Sequence, residues 1–393
     1  MRKFIGLLRV EFKRIFSNSV LMAIFFGAPV LYGFLFGYVY QQAKVVDLPI
    51  VIVDQDRSPM TDKFIDAFED NEGLFVKDVR YSAGNIIEEM PTEQYAAVIT
   101  LPSDFEAQLL QKKHPEVHVD LNMANILNAN TASKHIQSVL MTLNAGIEIE
   151  GLKKQGMHPD QAMASYESFK INFNKLYNST GNYVTFMLPG LLAGIMQQII
   201  FLAMALVFAR DFEDGYFGKL VGQSKNALYH ILLKATPFLL MLPIMWIGIA
   251  LFLPYFNVDI SIFNVPMMVL ASLLTFASMA IGMLFSIAIP NQLKATELLM
   301  VISTPAFILS GFTWPTMAIP TAITNIAQYI PLTQFLEGFR KVAFYGGDLS
   351  SIQTEIGMLT GITIVAFIAM VGLLQLKIYL FNKKAKKNVV TEG

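Results

Sequence analysis

Apolar runs long enough to cross a bilayer recur along the chain at residues 20–40, 183–208, 229–254, 264–289, 295–311 and 356–380. About 20 apolar residues in helical form span the hydrocarbon core, so the pattern predicts six transmembrane helices. Ahead of the first run, Phe4, Leu7, Leu8, Phe12 and Ile15 recur at helical spacing, with Arg2, Lys3, Arg9, Lys13 and Arg14 on the other face. Residues 1–19 therefore predict a basic amphipathic elbow helix on the membrane surface. No small-x-small cleavage site follows residues 20–40, so that run reads as an uncleaved anchor. Its Gly33-x-x-x-Gly37 spacing suits a close helix contact.

Between the first and second runs, residues 41–181 are polar enough to form a separate domain. LPIVIVDQD (48–56), LFVKDVR (74–80), YAAVITLP (95–102) and EVHVDLN (116–122) read as strands. Ser58-Pro59 opens a helix ending near Asp70, another helix runs through Leu110, and helical patterns cover 126–154 and 160–177. The expected domain is mixed α/β. Asp54, Asp56 and Ser58 sit at i, i+2 and i+4, but without the glycine and distal Glu of a calcium loop they read as turn and helix-cap residues. His114, His118 and His135 fit no zinc spacing and read as surface or packing residues.

Composition agrees with the pattern: 54% of the 393 residues are hydrophobic and 15% charged, which places the chain among membrane proteins. The net charge of −1 offers no basis for nucleic-acid binding. Without cysteine, disulfides, thiolate catalysis and Cys-ligated metals are excluded. Charge also orients the spans. Lys and Arg number five in residues 1–19, four in 209–234 and five in 377–393, whereas the short segment 255–263 has none. The positive-inside rule puts both termini and loop 209–228 in the cytoplasm and the 41–181 domain outside it, with 381–393 a basic cytoplasmic tail. Charges are expected only at span ends.

Within residues 182–380 three features invite function. Gln197 and Gln198 lie mid-span and should face protein or a cavity, as a substrate path or as an interhelical hydrogen bond. Pro189, Pro237, Pro243 and Pro305 predict kinks. The run from 305 breaks at Ser310-Gly311, passes Pro315, Pro320 and Pro331 with a short amphipathic piece between the last two, and leaves the membrane through Glu337, Arg340 and Lys341. A break at that depth must be buried in protein or line a wet cavity, so 311–345 reads as a re-entrant segment. Glu337 and Arg340, at i, i+3, are placed to pair.

That segment resembles the C-terminal signature of ABC-2 type permeases, the membrane subunits of ATP-driven exporters. Ser310, Gly311, Phe312, Pro315, Pro320, Pro331, Leu332, Thr333, Phe335, Leu336, Glu337, Arg340, Gly346 and Gly347 carry the resemblance. It implies a polytopic α-helical protein with six spans, one before and five after a mixed α/β extracytoplasmic domain, as in the long-loop members of the family. It implies two copies of an ABC ATPase subunit, a second permease chain, identical or not, and, in a two-membrane cell, room for a periplasmic adaptor. The family's acidic ATPase-coupling helix corresponds to Asp211, Glu213, Asp214 and Gly215, with Asp in place of the usual first Glu and Tyr216 where Thr is frequent. An outer gate would fall on Gly311, Phe312, Pro315, Pro331, Leu332, Phe335, Glu337 and Arg340.

No GxxxxGK[ST], GxSxG, HExxH or CxxC occurs, so no cofactor is expected, the chain is not expected to be an enzyme, and energy for transport must come from another chain. Without paired intramembrane acids an ion-coupled carrier is disfavoured. The Met- and Phe-rich spans favour a hydrophobic or amphipathic cargo, a drug-like molecule or lipid; that it is moved out across the cytoplasmic membrane of a bacterium is what the resemblance implies. A non-transporting receptor or scaffold, whose outer domain binds a ligand or envelope partner, stays open as the alternative.

Overall fold

The structure, a computed structural model, describes residues 2–42, 44–166, 176–178, 181–258, 260 and 262–392. It divides into two compact units, one of residues 1–43 with 175–393 and one of residues 44–174.

The first unit begins with α1 (Arg2–Phe16), the expected amphipathic helix. The run from residue 20 is helical but not uniform: α2 (Ser19–Met22) passes through a π-helical turn (Ala23–Gly27) into α3 (Ala28–Val39). Pro29 sits in the first turn of α3 and brings no N–H, which accounts for the helix widening just ahead of it. The Gly33/Gly37 face of α3 meets the Phe252 and Phe256 rings, so this motif makes an intramolecular contact.

In the second unit, β1 (Leu48–Asp54), α4 (Pro59–Glu69), β2 (Leu74–Arg80), α5 (Ile86–Glu93), β3 (Ala97–Leu101), α6 (Phe105–Leu110) and β4 (His118–Leu121) precede α7 (Ile126–Lys154) and α8 (Pro159–Tyr166). The sheet order is β2-β1-β3-β4, parallel except for β4 against β3. Central β1 is buried on both faces, as its unbroken apolar run requires. Ile50 and Ile52 pack with Phe64, Phe68 and Ile136, while Val51 and Val53 pack with Ile86 and Met90. Helix α5 has no counterpart among the sequence expectations. Most of the expected helix beyond Tyr166, to 177, lies outside the described residues. Asp54 Oδ1 accepts from the backbone of Asp56 and Arg57, Asp56 accepts from Glu106 N, and Ser58 caps α4. These residues do serve as turn and cap groups. His114 and His118 are exposed, and His135 packs over Gly73.

The first unit resumes with α9 (Tyr183–Glu213), α10 (Phe217–Gln223), α11 (Ala227–Tyr255), α12 (Val265–Ala288), α13 (Gln292–Leu309), α14 (Thr321–Ala327), α15 (Pro331–Ala343) and α16 (Gln353–Glu392). Among the described residues five helices, α9, α11, α12, α13 and α16, are long and apolar enough to cross a membrane, and Ala23–Val39 is a shorter apolar helix. The chain is therefore a multi-pass helical membrane protein with a small mixed-sheet unit. Between helices in lipid, close packing and hydrogen bonds replace the hydrophobic drive. Gly282 lets α12 close on Met204 of α9, and Ser286 Oγ accepts from Phe208 N and Ala209 N.

Candidate functional site

Helix α13 stops where expected. Ser310 caps it, and Gly311 has φ 75°, with its α-hydrogen turned to the Thr316 side chain where a Cβ would collide. Ser310 Oγ donates to Phe307 O and accepts from Phe312 N. The chain then passes Pro315 and Pro320 into α14 and turns at Ile330 into α15, which starts at Pro331, where the missing N–H costs nothing.

Helix α15 is not a surface helix. Pro331, Leu332, Phe335, Leu336, Gly338 and Phe339 are all buried, and only Glu337 of its middle turns is exposed. The expected Glu337–Arg340 pair does not form. Arg340 instead donates to Gly311 O at 3.0 Å and lies 5.5 Å from the Phe312 ring centre. The broken helix leaves the Gly311 carbonyl without a helical partner, and the Arg340 guanidinium supplies the N–H that it lacks. Phe312 stacks on Phe186 at 5.1 Å and fills the space over Gly190. Lys341 binds the buried Glu355 at 2.6 Å. The predicted gate residues thus divide: Gly311, Phe312, Pro331, Leu332 and Phe335 lie inside, Arg340 ties the segment, and Pro315 and Glu337 point outward.

Against α15 lies a cavity of about 360 Å³, walled by Pro189 and Ala193 of α9, Leu242 and Trp246 of α11, Met267 and Thr275 of α12, and Phe335 and Phe339. Its size and apolar lining fit a small-molecule site. Trp246 Nε1 donates to Thr275 Oγ1 at 3.0 Å, which fixes the indole beside Phe335, 5.9 Å between centroids. Trp246, Thr275 and Phe339 are not among the sequence-predicted site residues. Trp246 carried a signal, since Trp in a span favours the interfaces and this one sits well inside α11. Gln197 and Gln198 do not line the cavity. Gln197 is buried one turn along α9 from Ala193, its Oε1 without a hydrogen-bond partner, and Gln198 is half-buried.

The acidic residues after the second apolar run prove to be helical. Helix α9 continues through them to Glu213, and Gly215 follows with φ 68°. Asp211 is wholly buried, 2.6 Å from both Arg14 of α1 and Lys234 of α11. Lys234 also binds Glu11 at 2.8 Å. Burial works against the Arg14 charge, but the adjacent Asp211 carboxylate outweighs it and holds the pKa above the ordinary arginine value. Glu213 accepts from Gln292 at the start of α13, and Asp214 accepts from Arg14 and Arg210. Neither Glu11 nor Lys234 is among the residues that the sequence singles out; Lys234 lies two turns into α11.

The ABC-2 family transporter protein model matches residues 19–371. The chain is 23% identical to the linearmycin resistance permease protein LnrN of Bacillus subtilis (strain 168) over 94% of this chain and 98% of that one. It is 22% identical to the probable multidrug ABC transporter permease YbhR of Escherichia coli (strain K12), over 81% and 84%. Against the inner membrane transport permease YhhJ of the same strain, identity is 21% over 78% and 79%. Running from α2 into α16, across the spans, the broken segment and the cavity, the match shows that this chain belongs to the ABC-2 transporter family.

Proposed function

We propose that the chain is the permease subunit of an ATP-driven exporter, carrying a hydrophobic or amphipathic compound outward across the cytoplasmic membrane. The observation that carries this reading is the apolar cavity closed on one side by Phe335 and Phe339 of the re-entrant segment and on the other by Trp246. A span-depth cavity with no charged lining suits a cargo that partitions into lipid. The relatives' names, linearmycin resistance permease and probable multidrug ABC transporter permease, support the same class.

In this reading α2–α3 with the π turn forms a sixth span: residues 19–39 in helical form reach about 30 Å. Both termini and the 209–228 loop are cytoplasmic, and the residue 44–174 unit is extracytoplasmic. ATP is hydrolysed by two copies of a separate ATPase, and a second permease completes the pathway. The ATPase docks on the α9–α10 turn. Glu213, Asp214 and Gly215 form its tip, and Asp211 anchors it from inside. Gly311, Phe312, Pro331, Leu332 and Phe335, tied by Arg340, form the outer gate.

The test is purification of the tagged chain in gentle detergent, followed by identification of what remains bound. A stoichiometric P-loop ATPase is expected, lost on Asp214→Arg. A receptor or scaffold that works through its outer domain would retain no ATPase, and that result, repeated after crosslinking in native membranes, overturns the reading.

A further inference from the structure

The four charges under the α9–α10 turn come from three separate parts of the chain. Glu11 and Arg14 are on α1, Asp211 ends α9, and Lys234 lies two turns into α11. Glu11, Asp211 and Lys234 are each at least nine-tenths buried. With Arg14 included the four formal charges cancel, and the contacts form a chain: Glu11 to Lys234 at 2.8 Å, Lys234 to Asp211 at 2.6 Å and Asp211 to Arg14 at 2.6 Å. The Tyr216 ring, just past the turn, packs against the Arg14 guanidinium at 4.2 Å. Phe4 of α1 meets Tyr229 of α11 edge-on. Charges this deep in low dielectric bind strongly, and separating them is costly, so the three helix ends are held as one body.

The same helices reach the cavity. Helix α9 contributes Pro189 and Ala193, and α11 contributes Leu242 and Trp246. Lys234 and Trp246 are about 18 Å apart along α11 at 1.5 Å per residue. Pro237 and Pro243 fall between them. Each removes a helical hydrogen bond, so α11 above Pro237 can swing when the stem below it is displaced. Beside the charges lies a cavity of about 40 Å³ bordered by Glu11, Asn18 and Arg210. At roughly 10–15 Å³ per water it has room to wet the cluster when it shifts.

We propose that the Glu11–Arg14–Asp211–Lys234 cluster is a mechanical joint that carries a displacement of the α9–α10 turn into the stem of α11, and so into the Trp246 wall of the cavity. This rests on the exporter reading above. Lys234 and Glu11 are positioning residues. They touch neither cargo nor ATPase, and act by making α1, α9 and α11 move together.

The test uses the full permease–ATPase complex and needs no knowledge of the cargo. The chain has no cysteine, so Ile247→Cys on the cavity wall can carry a single environment-sensitive fluorophore, attached before the ATPase is added. In this parent, ATP should shift the emission. Lys234→Met alone leaves an unbalanced buried charge and risks misfolding. The informative variant is therefore Glu11→Gln with Lys234→Met, which keeps the cluster neutral through Arg14 and Asp211 while untying α11. The ATPase should remain bound and hydrolyse ATP, while the emission shift falls at least fivefold. Lys234→Arg should preserve the shift. A full shift in the neutral double variant, or ATP hydrolysis in the parent with no shift, overturns the joint. An ATPase that never binds the parent overturns the exporter reading, and the joint with it.

Discussion

Gly190→Ala is a small change whose sign separates this packing from a loose one. Gly190 lies in α9 beneath the Phe312 ring. A Cβ built there would meet three ring atoms, the farthest of them, Cδ1, at only 2.9 Å. Carbon atoms prefer about 3.5–4.0 Å, so the ring must retreat by at least ~0.6 Å. It has little room, with Phe186 stacked at 5.1 Å, Phe307 at 5.7 Å and the Arg340 guanidinium at 5.5 Å. Overpacking of this kind costs about 1–3 kcal/mol. Disturbing the Phe186–Phe312 stack adds about 0.5–1.5 kcal/mol. Alanine for glycine in a helix returns about 1 kcal/mol. The net is a loss of about 0.5–3.5 kcal/mol, where an unobstructed site would gain. Thermal unfolding of the purified protein reads the sign. Phe312→Leu in the Gly190→Ala background should recover at least ~1 kcal/mol relative to additivity. A raised Tm for Gly190→Ala, or strict additivity of the pair, would refute the wedged arrangement of Phe312.

Three further outcomes are expected. Lys341→Met strands Glu355, which is 2% exposed, and should cost about 3–5 kcal/mol; Glu355→Leu in the same chain should recover most of it, as read by Tm and membrane yield. Burial, followed by the neighbouring Lys134, holds the His135 pKa below its ordinary value. The unfolded chain therefore binds the proton first, so the residue 44–174 unit should lose stability as pH falls through ~6.5 toward the lower folded value and stay level below it. Hydrogen exchange in α7 of the full chain should show this slope, and His135→Gln should flatten it. Trp246→Ala should raise the half-saturating cargo concentration about tenfold or more, the loss of roughly 1.5–3 kcal/mol of aromatic contact, while Trp314→Ala, exposed and outside the cavity, should leave it unchanged.

What could be read in advance followed from local physics. Five of the six span-length apolar runs, the unbroken LPIVIVD strand and the Ser58-Pro59 helix start depend on neighbours in sequence and are found where expected, while the run from residue 20 forms a shorter apolar helix. The break at Ser310-Gly311 was legible because glycine there adopts a backbone other residues resist. The errors came from partners distant along the chain. Charges were expected to end the second span, but Arg14, 197 residues away, and Lys234 neutralise Asp211, so α9 continues through it. Lys234, inside the apolar run 229–254, finds its counter-charge in Glu11, 223 residues away. Arg340 was matched to Glu337 by spacing alone, and the Gly311 carbonyl exposed by the break took it instead. The cavity was invisible because Trp246, Thr275 and Phe335 converge from three helices.

The proposed passage of an apolar cargo through the Trp246–Phe335 cavity, driven by ATP bound to a partner chain, is tested by uptake of an amphipathic fluorescent dye into inside-out vesicles holding the chain and its ATPase, with Phe335→Arg, which places a charge in the apolar lining, measured alongside. Uptake should require hydrolysable ATP and fall at least tenfold in Phe335→Arg while the ATPase stays bound. Uptake that proceeds without ATP, or that Phe335→Arg leaves untouched, would contradict it.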